Sequence, residues 1–310
     1  MLTILFAAPK DWPEYKTALP QELVQAGLAA QIIHAPPSNA AAVDYIIYAP
    51  SSPLQDFTPF TSCKAVLSLW AGVERIVGNA TLIQPLCRMV EDGLTAGMVE
   101  WVVGHVMRHH LGMDAHIVNP DRNWRPVPPP LARDRHVAML GMGALGAACA
   151  HALAGLNFTV TGWSRTGARI GDIDVQSGKG GLRDVLAKAD FIVTLLPKTP
   201  ETENLLDSET LASAKRGAVL LNPGRGALID DDALLAALDT GQIAHATLDV
   251  FRMEPLPKDH PFWAHPGITI TPHIAADTRA DGAARALVDN IRRSEAGAPL
   301  LHRVDRARGY

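Results

Sequence analysis

Apolar residues recur in two rhythms along this chain. Short, nearly continuous apolar runs of strand length fall at residues 2–8, 31–34, 43–49 and 65–69, with a weaker run at 87–90. Between the first two, residues 14–27 read as a helix ending at Gly27. Strands that alternate with helices predict a parallel α/β layer structure. From residue 95 to about 113 the pattern becomes one long helix without proline, followed by a proline-rich loop at 120–130. A second α/β run follows. Its strands are predicted at 136–140, 159–162, 191–196, 218–222, 246–249 and 268–271, its helices at 145–155, 182–188, 208–214 and 231–240, and a last helix at 280–295.

The change of pattern before the long helix marks a domain boundary, and the last helix is expected to return to the first domain across a hinge near 276–278. The expected division is therefore 1–93 plus 279–310 for the first domain and 94–278 for the second. A chain of 310 residues is long enough for two cores. With 28 Lys and Arg against 32 Asp and Glu, the net charge of −4 suits neither a basic nucleic-acid binder nor an acidic disordered chain. No segment approaches about 18 uninterrupted apolar residues, so no spanning helix is expected. The apolar N-terminal run lacks preceding basic residues and a small-residue cleavage site, and is expected to be a first strand rather than a signal peptide. Cys63, Cys87 and Cys149 lie far apart, which fits reduced, buried thiols in a cytoplasmic protein.

The chemistry begins at Gly141-Met142-Gly143-Ala144-Leu145-Gly146, a GxGxxG that follows a predicted strand and opens a predicted helix. Gly141 permits the tight turn, Gly143 lets the backbone approach a pyrophosphate, and Gly146 lets helix and strand pack closely. The helix start at Ala144 and Leu145 then presents N–H groups to the phosphates. A site for NAD usually carries Asp or Glu at the end of the next strand. Here Trp163-Ser164-Arg165-Thr166 stands there, with no carboxylate. Ser164 and Thr166 can bond a 2′-phosphate and Arg165 can pair with it, so NADPH is expected in preference to NADH.

Three further segments each follow a predicted strand: Asn222-Pro223-Gly224-Arg225-Gly226, Asp249…Glu254-Pro255 and Thr271-Pro272-His273. An Arg, a Glu and a His at the carboxyl ends of strands can bind an anion and move a proton. Together with Leu69-Trp70-Ala71-Gly72-Val73-Glu74, Leu196-Pro197-Lys198-Thr199-Pro200-Glu201-Thr202 and His260-Pro261-Phe262-Trp263, these motifs carry a specific resemblance. From about Ala65 to Thr278 the chain resembles the D-isomer-specific 2-hydroxyacid dehydrogenases, most closely their glyoxylate/hydroxypyruvate reductase A branch.

That resemblance implies two Rossmann-like domains: a flavodoxin-like, discontinuous substrate domain and a dinucleotide-binding domain closing over a cleft. It implies that Arg225 binds the carboxylate and carbonyl oxygen of a small 2-oxoacid. His273 would be the general acid, with Glu254 bonding the imidazole and favouring its charged form. Ala71 and Gly72 would offer backbone N–H groups to the substrate carboxylate, and Trp70 would narrow the pocket to short substrates. Leu196, Pro197, Thr202, Pro223, Gly224, Asp249 and His273 would line the cofactor, with Asp249 at the nicotinamide carboxamide. The expected activity is NADPH-dependent reduction of glyoxylate and hydroxypyruvate to D-2-hydroxyacids by a cytoplasmic homodimer, with no nucleic-acid or membrane partner. The alternatives are a broader 2-ketoacid reductase or D-lactate-type dehydrogenase, and a non-catalytic dinucleotide-sensing protein. His105, His109 and His110 lie close on the long helix, but the HExxH pattern is missing and no metal is expected.

Overall fold

The computed structural model describes residues 1–124 and 126–309. They divide into two compact units, one of Met1–Leu94 with Asp277 onward and the other of Thr95–Ala276. The divisions fall one and two residues from the expected positions.

The first unit holds β1 (Leu2–Phe6), α1 (Trp12–Gln25), β2 (Ala30–Ile33), β3 (Tyr45–Tyr48), β4 (Ala65–Ser68) and β5 (Leu86–Cys87). All five strands pair in parallel, in the order β2-β1-β3-β4-β5, which is the flavodoxin-like order. Every residue of β3 and β4 is buried. This is why these strands read as unbroken apolar runs, since a parallel strand inside a layered sheet meets apolar neighbours on both faces. At the end of this stretch α2 (Asp92–His110) begins. Buried Glu91 caps it, accepting hydrogen bonds from the amides of Gly93 (2.6 Å) and Leu94. A short helix, α3 (Asp114–Ile117), follows.

The second unit is built on seven parallel strands. In chain order they and their helices are β6 (His136–Leu140), α4 (Ala144–Gly155), β7 (Thr159–Trp163), β8 (Asp174–Gln176), α5 (Gly178–Leu186), β9 (Phe191–Thr194), α6 (Ser208–Ala212), β10 (Ala218–Asn222), α7 (Asp231–Asp239), β11 (Ile243–Leu248) and β12 (Ile268–Ile270). The sheet order is β12-β11-β10-β9-β6-β7-β8. The chain winds outward from β6 through β7 and β8, then restarts on the other side at β9. This is the doubly wound arrangement, and its ligand crevice lies beyond the carboxyl ends of β6 and β9, where the winding reverses.

The last helix, α8 (Ala280–Glu295), returns to the first unit. Its Ala283, Ala284, Leu287, Val288 and Ile291 are buried with Leu19 and Leu23 of α1 and with Ile4, Phe6 and Ile47 of the sheet. β8 is the one strand that the pattern did not predict. It is three residues at a sheet edge with a single buried side chain, Val175, too short to show a period. Among the described residues no helix is long and apolar enough to cross a membrane.

Candidate active site

The turn after β6 has the geometry that its glycines promised. Gly141 sits at φ +105°, and a Cβ there would lie 2.4 Å from the carbonyl oxygen of Leu195. A Cβ on Gly146 would lie 1.8 Å from the carbonyl oxygen of Gly141, so the first turn of α4 can press against the loop only with glycine there. Gly143 differs, with nothing within 4 Å of where its Cβ would stand. It is also the N-cap of α4, and no side chain caps the helix. Bare backbone faces open space at an uncapped helix start, which fits a pyrophosphate approaching the amides.

The segment after β7 runs beside this turn. Trp163 donates its indole N–H to the carbonyl of Gly178 (3.0 Å), and Ser164 donates its backbone N–H to Gln176 (3.0 Å). The Ser164 hydroxyl oxygen accepts from Gly167 N–H (3.2 Å) and that of Thr166 from Ala168 N–H (3.5 Å). Each hydroxyl keeps its own hydrogen to donate, and Arg165 is exposed. These groups, with no carboxylate among Ser164, Arg165 and Thr166, fit a 2′-phosphate. After β9, the Thr202 hydroxyl donates to Pro197 (2.7 Å) and accepts from Thr199 N–H (2.8 Å). Thr202 thus closes the loop that begins at Pro197, directly after Leu196.

Arg225, Glu254 and His273 follow β10, β11 and β12, which are adjacent in the sheet. The strand order alone therefore brings the three to one edge of one unit. His273 Nδ1 lies 2.7 Å from Glu254 Oε2. A carboxylate can only accept, so Nδ1 carries the hydrogen and Nε2 is left to face outward. The second Glu254 oxygen accepts from Phe251 N–H (2.9 Å), which fixes the carboxylate plane. Arg225 Nη1 donates to the carbonyl of Gly224 (2.7 Å), and a Cβ on Gly226 would lie 2.1 Å from the Phe251 carbonyl carbon. The Arg225 turn and the loop bearing Glu254 are therefore packed backbone to backbone.

His273 is held at φ +55°, a left-handed conformation that a residue with a Cβ rarely adopts. Asp249 accounts for it. This carboxylate is fully buried, and Oδ1 accepts from the Thr271 hydroxyl and Ile274 N–H (2.9 Å), Oδ2 from Ala275 N–H (2.9 Å). The His273 amide donates to the Asp249 carbonyl (2.8 Å). Asp249 thus shapes the histidine loop, a part that the motif by itself did not disclose.

Asn222, Thr194 and Trp101 act as positioning residues to which the sequence reading gave no role. Buried Asn222 accepts from the Thr194 hydroxyl (2.6 Å) and Gly224 N–H (3.1 Å) and donates to the carbonyl of Arg225 (3.0 Å). Trp101 donates its indole N–H to Thr271 Oγ1 (3.3 Å), behind Asp249. Asn222 was visible in its motif, as a polar residue closing an apolar strand. Thr194 and Trp101 gave no such signal. The helix histidines form a packed cluster. His105 packs tilted against Trp101, and His109 bonds Thr247 Oγ1 (2.9 Å) and packs tilted against His245, 4.8 Å between ring centroids. Among the described residues no three metal-ligating side chains converge.

Trp70, Ala71 and Gly72 belong to the first unit, immediately after β4, where the Trp70 amide donates to Ser68 Oγ (3.1 Å). Trp70 is 40% exposed.

A doubly wound sheet with a phosphate turn at its switch point, and a polarised histidine at its carboxyl edge, is the framework of a dinucleotide-dependent oxidoreductase. Comparison with known proteins narrows the class. Residues 102–275 match the family model for the D-isomer specific 2-hydroxyacid dehydrogenase, NAD binding domain, and the chain belongs to that family of NAD(P)-dependent enzymes. It is 38% identical over 255 residues to a glyoxylate/hydroxypyruvate reductase A of Yersinia enterocolitica, covering 80% of this chain and 82% of that one. A D-isomer specific 2-hydroxyacid dehydrogenase of Xanthobacter autotrophicus Py2, solved with NADPH and MES, superposes with a TM-score of 0.90 at 36% identity, covering 100% of this chain and 99% of that one. An NADPH-dependent glyoxylate/hydroxypyruvate reductase of Sinorhizobium meliloti, solved with NADP and sulfate, gives 0.86 at 30% identity with both chains fully covered.

Proposed function

We propose that this chain reduces small 2-oxoacids, glyoxylate and hydroxypyruvate first, to D-2-hydroxyacids with NADPH. The observation that carries the reading is the His273–Glu254 pair at 2.7 Å, on the same unit as a dinucleotide turn followed by Ser164-Arg165-Thr166. The names of the Yersinia and Sinorhizobium relatives support it.

The bound nicotinamide supplies the hydride. His273 gives the Nε2 proton to the carbonyl oxygen as that oxygen gains charge, and takes it back in the oxidative direction. Glu254 holds the Nδ1 hydrogen, so the ring cannot turn away or present the wrong tautomer. Arg225 pairs its planar fork with the substrate carboxylate and carbonyl oxygen, fixing which face of the carbon receives hydride. On the first unit, Ala71 and Gly72 offer backbone amides to a substrate carboxylate, and Trp70 narrows the pocket to short substrates. Gly141, Gly143, Ala144, Leu145 and Gly146 hold the pyrophosphate. Trp163, Ser164, Arg165 and Thr166 hold the adenosine end, and Leu196, Pro197, Thr202, Pro223 and Gly224 line the cofactor. Asp249, expected at the nicotinamide carboxamide, is instead fully buried with both oxygens bonded to the histidine loop, so its part is to hold that loop. The state proposed is a cytoplasmic homodimer. The exposed apolar side chains Ile117, Val118, Trp124, Val127 and Leu131 support the pairing. The three buried, unpaired cysteines suit a reducing compartment.

The test follows loss of reduced-nicotinamide absorbance with glyoxylate, hydroxypyruvate, pyruvate and a bulkier 2-oxoacid, each with NADPH and with NADH. Fast turnover of the two short acids with NADPH is expected. NADPH binding without turnover of any of them would overturn the catalytic reading in favour of a dinucleotide sensor.

A further inference from the structure

Arg252 follows β11, two residues before Glu254. Its backbone lies on the Arg225 turn, where a Cβ on Gly226 would meet Arg252 N at 2.5 Å. Its side chain reaches back around the same turn. Nη2 donates to the Ile229 carbonyl, to Asn204 Oδ1 and, at the limit of reach (3.5 Å), to the Ala227 carbonyl. Nε lies 3.5 Å from Asp231 Oδ1 at the start of α7, and Nη1 lies 3.9 Å from Glu203 Oε1. The residues after Arg225 form a single short 3₁₀ turn, Gly226–Leu228, and the last carbonyls of such a turn must find donors outside it. Asn204 N–H supplies one to Ala227 (2.9 Å), Leu206 N–H another to Leu228 (3.0 Å), and Arg252 the one to Ile229.

One guanidinium therefore joins three segments of the second unit that the proposed function uses. Residues 203–204 continue the loop closed by Thr202, residues 227–229 continue the Arg225 turn, and Arg252 itself leads into the loop that carries Glu254. Backbone bonds tie the first two segments together, and the Arg252 side chain ties the third to both. A planar fork with donors in several fixed directions can do this, whereas an ammonium acts as a point charge. We propose that Arg252 is a positioning residue, which holds the Arg225 turn against the Glu254 loop so that the substrate anchor and the partner of the proton donor keep one spacing. The inference rests on the proposed oxoacid reduction, and Arg252 acts in it through Arg225.

The test is a double-mutant cycle on the full chain, with Arg252→Gln, Arg225→Gln and the two combined, reading kcat/KM for glyoxylate with NADPH. Fluorescence titration with NADPH accompanies each variant and reports a folded second unit, since the glycine turn after β6 lies on other elements. Arg252→Gln should bind NADPH about as wild type does and lose about 10–100-fold in kcat/KM, the scale of a misplaced reacting group. The combined variant should lose little more than Arg225→Gln alone, because a turn without its arginine has nothing left to position. A merely structural role would instead add in full. Wild-type kcat/KM in Arg252→Gln, or full additivity in the combined variant, would overturn the inference and leave the proposed function standing. If Arg252→Gln does not bind NADPH, Arg252→Lys takes its place in the cycle, keeping the charge beside Asp231 and Glu203 but not the fork. Undiminished turnover in Arg225→Gln, or a wild type without turnover, would overturn the proposed function itself and the inference with it.

Discussion

His273 and Ser164 are the two residues at which the proposed chemistry is most exposed to test. His273→Asn keeps a polar side chain of similar reach but cannot deliver a proton. Its kcat should fall by roughly 10²–10⁴-fold, the usual worth of a positioned general acid, with little change in NADPH affinity by fluorescence titration. Equal turnover in the two proteins would remove His273 from the mechanism. At the adenosine end the argument is electrostatic. A carboxylate at residue 164 would repel a 2′-phosphate and could accept from a 2′-hydroxyl. Ser164→Asp should therefore lower kcat/KM for NADPH by about 10–100-fold, the scale of a lost charged hydrogen bond, and raise it for NADH. A ratio that does not move would show that the cofactor choice is made elsewhere.

At the scale of elements, the reach of the sequence depended on how local each element's cause is. β6, β10 and α8 lie at the expected bounds, because their ends are set by nearby residues. Gly141 closes β6, Asn222 and Pro223 close β10, and the α8 stripe Ala283-Leu287-Ile291 repeats every four residues. β8 and the short β5 escaped or shrank, because an edge strand owes its existence to the strand beside it. The return of α8 to the first unit gives an element-scale prediction. Leu287 is 2% exposed within the core shared with α1 and β1. Leu287→Ala should cost about 2–5 kcal/mol, seen as a lower melting temperature, while Leu156→Ala, 42% exposed on the other unit, should melt close to wild type. Equal melting of the two variants would contradict the packing of α8.

For the whole molecule, acid sensitivity follows from how its histidines are buried. Burial pushes His109 down to about 4, with His245 and Arg108 adding to the shift. His105, His110, His136 and His245 are lowered too, each chiefly by burial. These rings are neutral in the folded chain where the unfolded chain, at an ordinary 6.5, already binds protons. Stability is therefore complete above about pH 6.5 and falls as pH drops from there toward 4. Melting temperatures between pH 7.5 and 4.5 should show this decline, and His109→Gln should flatten it. A flat wild-type curve would mean that these histidines ionise without unfolding.

What the sequence determined by itself was whatever a short stretch can encode. The strand and helix rhythm, the glycine turn, the missing carboxylate after β7 and the three polar motifs after β10, β11 and β12 are each written in adjacent residues. Tertiary structure decided what depends on distance through space. It made Asp249 the anchor of the histidine loop, set Asn222 under the Arg225 turn, and packed the helix histidines against Trp101, Thr247 and His245. It also laid residues 302–304 along β5. The physical reason is common to all of these. A buried polar group must find its partner wherever the fold brings one, and sheet order, which makes neighbours of residues far apart in the chain, is not local information.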